Sequence, residues 1–151
     1  ISVMTSTAPP YTLIRPGGRK TDWIGGQRHS IVVGGEETAG RYSIAHSSMA
    51  VGVGVSEHIH GVEAEAFYVL KGLFRFTIAE EVRELGPGDF LHVEPGRHYR
   101  FEALPPDAGE VLVLNAPAGL ETFIAEVGIA DSQDHELSRR PPESPLRVPM
   151  R

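Results

Sequence analysis

Gly52-Val53-Gly54-Val55-Ser56-Glu57-His58-Ile59-His60-Gly61-Val62-Glu63-Ala64-Glu65-Ala66-Phe67-Tyr68-Val69-Leu70-Lys71-Gly72 decides the fold of this chain. Its first half alternates small or polar residues with β-branched ones, as a strand does, so His58 and His60 point to one face about 7 Å apart along the chain. Gly52, Gly54 and Ser56 share that face and leave it nearly empty of bulk, like a cavity wall. Val51, Val53, Val55 and Ile59 share the other face, which needs cover from another strand, the N-terminal arm or a second copy of the chain. A homodimer is therefore expected. After the short 61–64 connection Glu65 opens the next apolar run, with Phe67 and Val69 on its own side. Two imidazoles and a carboxylate within eight residues can hold one divalent metal ion. The apolar surroundings disfavour a charged Glu65 unless a metal compensates, and a carboxylate released during turnover can act as a base.

The flanking segments read as further short strands. Tyr11 to Ile14 and Ile31 to Val33 are strand-like, separated by turns at Pro16-Gly17-Gly18 and Gly25-Gly26, with the single Trp23 between them as a packing anchor. Arg41 to Met49 alternates with Tyr42, Ile44 and His46 on one face, which makes His46 a second-choice ligand. Leu73 to Ile78 and Val82 to Leu85 form a hairpin about Ala79-Glu80-Glu81. Gly86-Pro87-Gly88-Asp89 leads into Phe90 to Phe101, and Val111 to Asn115 is a last buried strand. Gly119 to Ile129 places Leu120, Phe123, Ile124 and Val127 at helical spacing, so a short helix closes the domain. Many short strands with turn signals and one late helix predict an all-β jelly-roll barrel or sandwich.

Composition sets the frame. A chain of 151 residues with 40% hydrophobic content buries a core as one domain, expected over 11–130. Residues 1–10 read as a flexible lead, in which Ile1-Ser2-Val3 ahead of Met4 is a cloning remnant. Residues 131–151 turn polar and proline-rich, an extended or mobile tail in which His135 has no assigned chemistry. The net charge of -6 supplies no basic stripe to neutralise phosphates, which argues against nucleic acid or an anionic membrane as partner. Without a long apolar run or a signal-peptide pattern, the expectation is a soluble cytoplasmic protein. The absence of cysteine leaves nitrogen and oxygen as the only donors for a metal.

The frame of Gly52, His58-x-His60, Glu65 and Gly72 resembles the first motif of the cupin superfamily position for position. The block from Gly86 to Phe101 resembles the second motif, in which a turn, a strand and a Pro/Gly turn precede a final ligand histidine. Here the chain departs from the pattern. Counted from Gly88 and Gly96, the histidine position falls on Tyr99, with His98 one residue early; Glu94 stands where the pattern has proline, and Pro95 comes one place late. Slip by one residue turns a side chain to the opposite face. His98 is the favoured fourth ligand because imidazole binds divalent metals better at neutral pH than a phenol does, while Tyr99, His46 and His92 stay open as alternatives.

The resemblance implies a cupin jelly roll holding one divalent metal ion on His58, His60, Glu65 and His98, with Glu65 as catalytic group. Glu65-Ala66-Phe67-Tyr68-Val69 and the run from Ala116 to Phe123 are also similar to small bacterial cupins that act on aromatic natural products. It implies metal-assisted cyclisation of an aromatic polyketide, or else quercetinase-like cleavage of a flavonoid, or a binding module without turnover. Zinc is the favoured metal because ring closure needs only a Lewis acid; iron, nickel, manganese or copper would suit oxygen chemistry.

Overall fold

The computed structural model describes residues 9–127 and 129–130. The strands are β1 (Thr21–Ile24), β2 (Gln27–Val33), β3 (Ser43–Met49), β4 (Gly54–Ile59), β5 (Ala64–Lys71), β6 (Leu73–Ile78), β7 (Glu81–Leu85), β8 (Phe90–Val93), β9 (His98–Leu104), β10 (Gly109–Ala116) and β11 (Ile129–Ala130). Two helices, α1 (Gly35–Thr38) and α2 (Leu120–Val127), interrupt them. One sheet runs β11-β1-β2-β3-β10-β5-β8 and the other β4-β9-β6-β7, with antiparallel pairings in both. This is the expected all-β jelly roll with its late helix. No helix among the described residues is long and apolar enough to cross a membrane.

The core fills the space between the sheets. Phe67, Val69, Val111 and Val113 enter from the seven-stranded sheet; Phe74, Phe76, Tyr99 and Phe101 enter from the other. Phe76 stacks on Phe101 at 4.7 Å between ring centroids, and Phe67 meets both edge-on at 4.9 and 5.2 Å. Aromatic rings in these geometries gain beyond the area they bury. The Phe74-Phe76 alternation on β6 and the Ala79-Glu80 turn into β7 follow the sequence reading.

The two glycines that frame the opening stretch have a backbone reason for being glycine. Gly52 has φ of 81° and Gly72 of 77°, both in the region that side chains disfavour, and a Cβ on Gly72 would stand 2.8 Å from the Ala108 carbonyl oxygen. Between them β4 pairs with β9, with an irregularity between Val55 and His58.

Three local expectations are corrected. Tyr11 to Ile14 is not a strand: Tyr11 and Leu13 are exposed, and the segment, flanked by Pro9-Pro10 and Pro16, has no pairing partner among the described residues. The N-terminal hairpin is instead β1 and β2, turned through Gly25-Gly26, with Trp23 half-buried opposite Arg28 and Ile129. On β3, Ser43, Ala45, Ser47 and Met49 face the core, so Ile44 and His46 lie on the outer face. Finally, β10 is not the last strand, because β11 returns to pair with β1.

Val53, expected to need cover, is buried, and it would stand 2.7 Å from a Cβ placed on Gly26. The chain's own N-terminal hairpin thus covers Val53, while Val51 stays exposed. The proposed tail over 131–151, with His135, lies outside the described residues.

Candidate metal centre

His58 sits near the end of β4, His60 just beyond it, and Glu65 near the start of β5, so the short 61–64 connection folds the carboxylate back onto both imidazoles. All three residues are buried, and one ligand atom from each lies within 4.8 Å of the others. His60 Nε2 is 2.9 Å from Glu65 Oε2, and His58 Nε2 is 4.0 Å from the same oxygen. Metal bonds of about 2.1 Å at tetrahedral angles separate ligand atoms by about 3.4 Å, so these spacings bracket what one ion requires. The donor set of two nitrogens and one oxygen fits a divalent transition metal. His58 Nδ1 donates to the Ser56 carbonyl oxygen at 2.8 Å, which leaves the lone pair on Nε2, the atom that faces Glu65.

The electrostatics support a cation. Burial pushes the Glu65 carboxyl up, but the two neighbouring imidazoles, His60 at hydrogen-bond distance, outweigh it and hold the group below the usual carboxylate range. Burial likewise pulls His60 down, yet its hydrogen bond to Glu65 and the charges of Glu65 and Glu63 leave it above 6.5. Where apolar surroundings alone would neutralise Glu65, the two imidazoles keep it charged.

The fourth position departs from expectation. His58 pairs with Tyr99 and Ile59 with His98 across β4 and β9. Directly opposed residues in an antiparallel pair share a face, so Tyr99 enters with His58 while His98 turns out and is exposed. Tyr99 is 1% exposed, its ring lies 4.2 Å from that of His58, and its hydroxyl donates to Glu65 Oε2. His98 is therefore not part of the cluster, and neither are the other two histidine candidates, whereas Tyr99 meets it through its hydroxyl. His46 lies on the outer face of β3, 3.6 Å from Glu110, and His92 is exposed on β8 beside Glu94.

Two groups at or near the cluster were missed from the sequence. Glu63, read only as part of a connection, is 8% exposed with Oε2 at 3.6 Å from His60 Nδ1. Its parity with Glu65, two residues on, is the signal that could have found it. Asn115, on the inner face of β10 in register with Glu65, is 1% exposed with no partner for Oδ1.

Residues 45–115 match the family model described as a cupin domain. The quercetin 2,3-dioxygenase of Bacillus subtilis (strain 168) is 32% identical over 124 residues, covering 80% of this chain and 35% of that protein. The chain thus spans about a third of this relative's length. Among solved structures, KdgF from Halomonas sp. is similar with a TM-score of 0.63 and 23% identity, over 72% of this chain and 96% of that one. The polyketide cyclase RemF from Streptomyces resistomycificus has a TM-score of 0.60 and 18% identity, over 70% and 78% of the respective chains. At these identities the two structures speak for the fold alone. Sequence match and jelly-roll topology agree that the chain carries a cupin domain.

Proposed function

We propose that this chain is a metal-dependent cupin enzyme that removes a proton from a hydroxylated aromatic or enolisable polyketide substrate at Glu65. The observation that carries the reading is the convergence of His58, His60 and the Tyr99 hydroxyl on one buried carboxylate. His58, His60 and Glu65 would hold the ion, which supplies Lewis acidity toward a substrate oxygen. Glu65, once released from the ion during turnover, would be the proton acceptor at Oε2, the oxygen that the Tyr99 hydroxyl meets. Tyr99 Oη orients that oxygen and can follow the proton. Burial excludes bulk water from all four groups.

Oxygenation of a flavonoid-like substrate is the reaction class favoured by the relative matched over 80% of the chain. Ring closure, the first expectation from sequence, is the second reading, favoured by a tyrosine where the family pattern has its fourth histidine. Oxygen uptake by metal-loaded protein with a flavonol separates the two. The expected result is stoichiometric oxygen consumption that disappears in His58→Ala. Conversion of a poly-β-ketone under strict anaerobiosis would establish ring closure instead. Ligand binding with no turnover of either substrate would leave a binding module and defeat both enzymatic readings.

A further inference from the structure

We infer that Glu63 is a positioning residue of the metal centre, the carboxylate that fixes the His60 ring so that Nε2 presents its lone pair to the ion. This rests on the reading of His58, His60 and Glu65 as metal ligands. The two imidazoles face the same problem: each must carry its proton on Nδ1 for Nε2 to bind. His58 solves it locally, with Nδ1 donating to the Ser56 carbonyl at 2.8 Å. Among the described residues no backbone acceptor is seen at Nδ1 of His60, whose own carbonyl accepts from the Gly96 N–H at 2.7 Å. Its Nδ1 faces Glu63 Oε2 at 3.6 Å, while its Nε2 faces Glu65 at 2.9 Å.

Glu63 is otherwise hard to explain. It follows the turn after His60 and is 8% exposed, and its Oε2 has no hydrogen-bond partner. A buried carboxylate oxygen without a donor is costly unless a cation lies nearby. An ion on Nε2 polarises the ring and strengthens Nδ1–H as a donor, which gives that oxygen its partner. Glu63 and Glu65 together bring two buried carboxyl groups to the cluster. The pair of histidines is therefore asymmetric: His58 is anchored by a backbone carbonyl and His60 by a side-chain carboxyl.

The test is a competition titration of zinc and cobalt against a chelator, using the full chain as parent, Glu63→Ala, Glu63→Gln and His60→Ala. Loss of such an orienting carboxylate weakens metal affinity by about 10–100-fold. Glu63→Ala is expected in that range, with an altered visible spectrum of the cobalt form at saturation. Glu63→Gln, whose amide oxygen still accepts from Nδ1–H, is expected to recover part of the loss. The unfolding midpoint of the metal-free alanine variant should match or exceed the parent's, because the uncompensated carboxylate is gone, whereas a merely structural role would lower it. If Glu63→Ala fails to fold, the glutamine variant carries the test, with a weakened affinity and a shifted cobalt spectrum expected. Affinity within twofold of the parent in the folded Glu63 variants, with His60→Ala still defective, overturns this inference and leaves the metal reading intact. If the parent binds neither ion, the metal reading falls and this inference with it.

Discussion

Two buried histidine clusters sit in this barrel, and their partners are of opposite kinds. His29 on β2 is held by neutral groups, with Nδ1 at 2.7 Å from the Ser47 hydroxyl and Nε2 at 3.0 Å from the Gln27 amide oxygen. Gln27 in turn donates to the Gly54 carbonyl and ties the two sheets together. Burial alone acts on this imidazole and lowers it from 6.5 to about 4. His60 is also buried, but it is less enclosed by surrounding atoms than His29, and its neighbours are carboxylates that raise it. Burial makes a histidine a structural strut among neutral partners; a less complete enclosure lined by carboxylates makes a place for positive charge.

The largest effect expected from this contrast belongs to the neutral cluster. Between about pH 4 and 6.5 the unfolded chain protonates His29 while the folded chain does not, so stability is complete above 6.5 and falls as pH drops toward 4. The loss approaches about 3 kcal/mol when the window is crossed. Urea unfolding at pH 7 and 4.5 should show a drop in the parent that exceeds the drop in His29→Gln, whose amide retains hydrogen bonding without titrating there. Parallel pH profiles would break the comparison.

A smaller effect is expected at the acid-lined cluster. Tyr99→Phe keeps the ring against His58 and Phe67 and deletes the hydroxyl that meets Glu65. Losing a hydrogen bond to a charged group costs about 1.5–3 kcal/mol, read as a lowered midpoint in urea. The smallest effect is at the neighbouring position: His98 is exposed, so His98→Ala should change stability by less than about 0.5 kcal/mol and leave metal affinity unaltered. A loss of bound metal in His98→Ala would overturn the register described for β4 and β9.

The same pair of residues shows what was legible in the sequence. His58, His60 and Glu65 could be grouped because strand parity and one short connection are local properties. The hairpin of β6 and β7 was legible for the same reason. Parity also made Tyr42, Ile44 and His46 a single face, but a lone strand does not reveal which face meets the core. Small Ser43, Ala45 and Ser47 take the inside of β3, leaving the bulkier side chains outside. Counting from Gly88 and Gly96 points to Tyr99, whereas imidazole chemistry alone points to His98. The pairing of Tyr99 with His58 decides the matter, and it joins residues far apart in the chain. The N-terminal hairpin is hidden for a related reason: its strands are defined by pairing with β3 and β11, whereas Tyr11 to Ile14 has the right residue types and no partner among the described residues.

The central claim is that carboxylates around His58 and His60 make this cluster a divalent metal site. Metal content per chain, measured by mass spectrometry on protein purified without added metal and again after titration with zinc, tests it most directly. The account expects close to one divalent ion per chain in the parent and its loss in Glu65→Gln, while His29→Gln retains it. A parent that neither keeps nor takes up an ion, or a Glu65→Gln variant that holds it as tightly, would contradict the assignment.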